Sequence, residues 1–147
     1  MSIGSRFIPL NSFLIIMSFT WKQKLVGLLA MSRPKPLAAL IMAWALGVSA
    51  AYGSGIIIPL NDFIWSLLAI VLAGASSHYA NEYADWETDA LAVRTQYSGG
   101  SGVIPSGVVS RSWTMKMALL TLILGLTVCY SRVYLDSISI DVLLVYI

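Results

Sequence analysis

Long uncharged apolar runs, each closed by a few polar residues, set the rhythm of the chain. Leu37 to Ile58 reads LAALIMAWALGVSAAYGSGIII without a single charge. At about 1.5 Å per helical residue this is enough to cross a hydrocarbon core of roughly 30 Å. Arg33, Pro34, Lys35 and Pro36 precede it, and prolines suit a helix start because the first N–H groups have no intrahelical partner there. Pro59, Leu60, Asn61 and Asp62 form a turn, with Asn61 or Asp62 as the expected N-cap of a second helix from Phe63 to about Ala80. These two spans predict an antiparallel helical hairpin.

The second helix is apolar to Ala75 and then turns polar through SSHYANEYADWETD, with no proline or glycine to stop it. The pattern predicts that it continues as helix past the bilayer surface and carries its acids on its end. Arg94 to Arg111 is rich in Gly, Ser and Pro and reads as a loop; Ser110 then N-caps a third span from Trp113 to about Tyr130. Lys116 sits one turn inside that span, where it can snorkel. A fourth apolar segment runs only from Ile138 to Ile147, about 15 Å of helix. It therefore reads as a truncated span of a longer protein, or of a gene product that lost its C-terminal part. The N-terminal stretch from Phe7 to Thr20 is apolar but short and carries Pro9 and Asn11, which favours an uncleaved interfacial helix over a signal peptide or a span. The expected fold is all-α, a polytopic transmembrane helix bundle with about three full spans (37–58, 63–80 and 113–130) and an incomplete fourth at 138–147. Residues 1–31 form a pre-span segment and 32–147 the bundle.

Composition agrees with that picture: 58% of the residues are hydrophobic and 11% charged, the profile of an integral membrane protein. A net charge of +2 gives no argument for nucleic acid as a partner. The single cysteine, Cys129, lies in an apolar run and reads as a packed or lipid-facing thiol. Basic residues instead mark topology. Lys22, Lys24, Arg33 and Lys35 precede the first span, Arg94, Arg111 and Lys116 fall between the second and third, and Arg132 lies beyond the third. By the positive-inside rule the motif-bearing loop is cytoplasmic, in the cell membrane if the protein is prokaryotic. Scattered aromatics such as Trp44, Trp65, Trp113, Tyr52 and Tyr130 read as span packing and interfacial belts.

Candidate chemistry gathers in NEYADWETD, residues 81–89, which holds four of the chain's seven acids: Glu82, Asp85, Glu87 and Asp89. On a continuous helix Asn81, Asp85 and Asp89 are spaced i, i+4, i+8 and form one stripe, with Glu82 beside it and Glu87 pointing elsewhere. Three oxygen donors on one face suit a hard cation that keeps several waters and shares its other positions with phosphate oxygens, and Mg²⁺ is the obvious choice. Like charges at i+4 repel, and acids at a helix C-terminus oppose its dipole, penalties that a cation offsets. Against this stands the plain alternative of a solvated helix end. His78, one turn before Asn81 on the same side, reads either as an interfacial polar residue or as a ligand-orienting one.

Asn81-Glu82-Tyr83-Ala84-Asp85-Trp86-Glu87-Thr88-Asp89 resembles the first aspartate-rich motif, N-[DE]-x-x-D-x-x-x-D, of the UbiA family of intramembrane prenyltransferases. Arg33-Pro34 before the first span, Arg94 five residues after the last aspartate, and Ile104 to Gly107 (IPSG) near the loop's end fit the same order. The resemblance covers most of residues 32–131. It implies transfer of a polyprenyl group from its diphosphate to an acceptor, often the aromatic ring of a quinone precursor, in a bundle of about nine helices. On that reading Asn81 and Asp85 hold Mg²⁺, Asp89 joins through a second ion or water, and Asn81, Asp85 and Arg94 bind the diphosphate. Asp85, Asp89 and Arg94 are then the catalytic set, ionising the allylic C–O bond so that the acceptor attacks the carbocation. The chain departs from the family in two places. Ser98-Gly99-Gly100-Ser101-Gly102 stands where many members carry an Arg-Pro pair, a variant that looks like the branch prenylating 1,4-dihydroxy-2-naphthoate in menaquinone synthesis. Its glycines either let backbone N–H groups approach a phosphate, as nests do, or make a flexible loop. The second aspartate-rich motif is absent: after Asp89 the only acids are Asp136 and Asp141. The expected molecule is therefore the N-terminal half of such a bundle, missing a C-terminal half or an unknown membrane partner. A truncated, non-catalytic membrane protein with a partial Mg²⁺-diphosphate site is the competing expectation.

Overall fold

In a computed structural model, which describes residues 19–91 and 100–136, the chain is built from helices. These are α1 (Trp21–Met31), α2 (Pro34–Gly53), α3 (Leu60–Ala84), α4 (Trp86–Leu91) and α5 (Arg111–Asp136). Three of them, α2, α3 and α5, are long and apolar enough to cross a membrane. The all-α helical bundle is thus as expected. The segment 138–147 and the stretch from Phe7 to Ser18 lie outside the described residues, as does Arg94.

Local chemistry sets the helix ends, not always where the apolar runs place them. The first span stops at Gly53, five residues short of the expected Ile58, because a glycine cap ends it there. Gly55 adopts a left-handed φ of 81°, its N–H donates to the Tyr52 carbonyl, and the Ile56 N–H donates back to Ala51. This double return closes the orphan carbonyls of the last turn. The second helix begins at Leu60 with Pro59 in the capping position and no side-chain cap. The expected N-caps are otherwise occupied: Asn61 accepts from the Trp65 indole at 3.1 Å, and Asp62 pairs with Arg132. Ser110 does cap α5, accepting from the Trp113 N–H at 3.3 Å. Ahead of the first span an additional helix, α1, starts in a capping box. Thr20 Oγ1 accepts from the Gln23 N–H, and the Gln23 side chain accepts from the Thr20 N–H at 2.8 Å.

Helix α3 is the centre of the bundle and packs against both α2 and α5. Against α5 it runs antiparallel in steady register, from Asp62–Arg132 at one end, through the Ser76 hydroxyl donating to Ala118 O at 3.0 Å, to Tyr83–Arg111 at the other. Against α2, also antiparallel, Leu37 and Leu40 close on Gly74, while the Trp44 indole donates to Ser66 and meets Phe63 edge to face. Small residues where helices meet are what a lipid-embedded bundle needs, since apolar burial alone does not drive helices together in a lipid solvent. The fully buried cluster lies at one end: Met31, Tyr79, Val103, Val109 and Ala118. There α1 and the 103–109 loop fold onto α3 and α5, with Gly27 set against Val103, Val108 and Val109. Large apolar residues on the other faces of α2 and α5, such as Met42, Leu46, Leu122, Ile123 and Leu126, stay exposed, as lipid-facing side chains should.

Candidate functional site

The acidic motif sits at that same packed end, and it does not form one straight helix. α3 ends at Ala84, Asp85 takes φ −90° and ψ 5°, and α4 starts at Trp86. The expected continuous i, i+4, i+8 stripe is therefore broken at its middle member. Hydrogen bonds bridge the break, from Asp85 N to Asn81 O at 2.9 Å and from Asp89 N to Asp85 O at 2.8 Å. Arg111 fixes it from the side: its Nε donates to the Tyr83 carbonyl at 3.2 Å, and its guanidinium lies 4.3 Å from the Tyr83 ring and 5.2 Å from the Trp86 ring. One arginine thereby satisfies a terminal carbonyl of α3 and clamps the aromatic residues on both sides of the bend. The bend also changes the electrostatics. Glu87 and Asp89 fall in the first turn of α4, at the positive end of that short helix, which favours negative charge. The dipole penalty expected for acids at a helix C-terminus thus does not apply to them.

The four acids divide between two jobs. Glu82 is 2% exposed and is an internal hub. Arg33 donates to its Oε1 through Nε at 3.1 Å and Nη2 at 3.0 Å, the Ser101 N–H donates to the same oxygen at 2.9 Å, and the Ser101 hydroxyl donates to Oε2 at 2.7 Å. A charge removed from water is tolerated only when paired and hydrogen-bonded, and Glu82 meets both conditions. Arg33 itself is held at a left-handed φ of 50°, a conformation that costs about 1–2 kcal/mol for a non-glycine residue. The glycine loop brings a backbone N–H to an anion, as a nest would, but the anion is Glu82.

Asn81 and Asp85 face outward and are exposed, and no side-chain hydrogen bond or ion pair engages the Asp85 carboxylate among the described residues. Asp89 is half-buried and packs on Gly100, whose φ of 62° leaves no room for a side chain: a Cβ there would collide with the Asp89 carboxylate. Two nitrogens beside the motif, His78 Nδ1 and Trp86 Nε1, are buried without a hydrogen-bond partner among the described residues. Such groups cost about 1–3 kcal/mol each, a penalty that an oxygen acceptor reaching them offsets.

The structure thus brings Asn81, Asp85 and Asp89 to one end of the bundle while separating their helical faces, and it recruits Glu82, Arg33, Ser101 and Arg111 around them. Among the described residues no group of three His, Cys, Asp or Glu side chains stands close enough to hold a metal ion. The Arg111 contact is implicit in an antiparallel α3–α5 pair, which sets the first residue of α5 beside the last turn of α3. The Glu82–Arg33 pair joins residues 49 positions apart, and only the charges themselves hint at it. Comparison with known proteins finds no matching family model, no similar curated protein and no similar solved structure.

Proposed function

We propose that the chain is part of a UbiA-type membrane prenyltransferase, transferring a polyprenyl group from its allylic diphosphate to an aromatic quinone precursor at the cytoplasmic membrane surface. The observation that carries this reading is the sorting of the motif's side chains. Glu82 is sequestered by Arg33 and Ser101, whereas Asn81 and Asp85, one turn apart, remain exposed with oxygen atoms to offer. That donor pair fits Mg²⁺, which favours one or two protein oxygens and fills its other positions with water and phosphate. Bound there, Mg²⁺ would supply positive charge to a departing diphosphate. Asn81 and Asp85 hold and orient the head group, Asp89 extends the acidic face, and Arg94 adds a fixed cation. The apolar bundle accommodates the lipid tail.

A second reading is a non-catalytic membrane protein that keeps only a partial Mg²⁺-diphosphate site. It is favoured by the acids of this sequence, in which only Asp136 and Asp141 follow Asp89, so the chain carries no second aspartate-rich motif. One experiment separates the two. The purified chain in lipid is given a labelled allylic diphosphate, Mg²⁺ and a panel of aromatic acceptors, and both bound label and prenylated product are measured. Product formation that Asp85→Ala abolishes supports the enzyme. Mg²⁺-dependent binding without product supports the partial site, and neither from well-folded protein defeats both readings.

A further inference from the structure

A second feature of the packed end involves none of the motif residues. Between α1, the 107–110 loop and the start of α5 runs an open groove of about 840 Å³, within the size range of small-ligand sites. Its walls are apolar, with Leu25 and Leu28 on one side and Val108 on the other, and Trp21 and Trp113 stand at its rim. Both indoles are largely exposed, and each carries an ammonium group: Lys22 Nζ lies 5.8 Å from the Trp21 ring and Lys116 Nζ lies 5.5 Å from that of Trp113. A third lysine, Lys24, lines the groove itself, and no acid does. Tryptophan paired with lysine is the chemistry of the head-group layer, where the indole lies at the interface and the ammonium reaches phosphate.

We propose that this groove binds an anionic phospholipid, its phosphate held among Lys22, Lys24 and Lys116 and the start of an acyl chain laid against Leu25, Leu28 and Val108. The choice of occupant follows from charge complementarity. Three cations around an apolar floor with no acid match a head group that is negative and a tail that is apolar. A zwitterionic lipid would leave one like charge facing the lysines. Because α1 is anchored by the Tyr79 hydroxyl donating to Leu28 O at 3.1 Å, a lipid bound there also braces the helix that closes this end of the bundle.

The test is native mass spectrometry of the full chain, released from detergent containing equal amounts of phosphatidylglycerol and phosphatidylcholine with matched acyl chains. Phosphatidylglycerol is expected to be retained preferentially, and Lys22→Gln, Lys24→Gln or Lys116→Gln should each lower the preference about fivefold, the effect of one basic residue at an anionic surface. Lys35→Gln, an exposed lysine at the start of α2 that neither lines the groove nor lies over one of its two indoles, should leave it unchanged. Equal retention of both lipids, an unchanged preference in the three groove variants, or an equal loss with Lys35→Gln would overturn the proposal.

Discussion

Glu82 shows how one side chain in the motif can serve the fold so that its neighbours can serve a ligand. Its carboxylate takes four hydrogen bonds from Arg33 and Ser101, tying the start of α2 and the glycine loop to the last turn of α3. Removing it leaves Arg33 facing a site built for a carboxylate. The Arg33 side chain is 32% exposed, so water recovers part of the loss, and Glu82→Ala is expected to destabilise by about 3 kcal/mol, the lower end for a broken buried pair. Glu82→Gln keeps an acceptor for Arg33 and Ser101 and should lose about half as much. Equilibrium unfolding in mixed micelles measures both, and a Gln variant as unstable as the Ala variant would show that a neutral acceptor restores nothing and that the whole loss comes from the charge. Gly100 supplies a sharper local test. Gly100→Ala meets both a left-handed backbone and the Asp89 carboxylate, whereas Gly55→Ala meets the backbone penalty alone in open space. The expected losses are about 1 kcal/mol for Gly55→Ala and clearly more for Gly100→Ala. Equal losses would mean that Asp89 moves aside freely.

The apolar runs located the three long helices of the bundle because hydrocarbon length is a constraint that a sequence must meet residue by residue. Their ends were less legible for identifiable reasons. The first run continues without a charge through Gly53-Ser54-Gly55 into Ile56-Ile57-Ile58, so reading it by the length of its uncharged stretch overshoots the cap at Gly55. The break at Asp85 has no proline or glycine to announce it, and it is held by Arg111, which reaches it from another helix. In the site, the spacing puts Asn81 and Asp85 on a shared face, while which way that face turns, and the inward turn of Glu82, depend on distant partners. Packing between α3 and α5 makes its own prediction. A Cβ on Gly125 would lie 3.4 Å from Leu72 Cβ, an ordinary contact, so Gly125→Ala should leave stability within about 1 kcal/mol, the helix-propensity gain offsetting any tightening. Gly125→Leu must push the helices apart and should cost about 1–3 kcal/mol. Gly47 on α2 has nothing within 4 Å, so Gly47→Leu is the control that should be tolerated. If both leucine variants behave alike in micelle unfolding, Gly125 is not a close-approach position.

At the scale of the whole molecule, charge is distributed by end. Lys22, Lys24, Arg33, Lys35, Arg111 and Lys116 all belong to the end where α1, the loop and the motif meet. At the opposite end Arg132 is tied to Asp62, so its charge is compensated within the bundle rather than displayed. The positive-inside rule counts basic residues near span ends whether or not they are paired, and the proposed orientation, with the motif end cytoplasmic, follows from their excess at that end. The proposed chemistry needs this side, since Mg²⁺ and soluble acceptors must reach Asn81 and Asp85 there. In a Cys129→Ala background, Lys35→Cys at the start of α2 and Ile57→Cys in the exposed turn between α2 and α3 place single thiols at the two ends. A membrane-impermeant maleimide applied to intact cells should label the thiol at position 57 and reach position 35 only after permeabilisation. The reverse pattern would put the acidic motif outside the cell and remove the substrate supply on which the prenyltransferase reading depends. Labelling of both thiols in intact cells would show a bundle inserted in two orientations, in which the basic end no longer dictates topology.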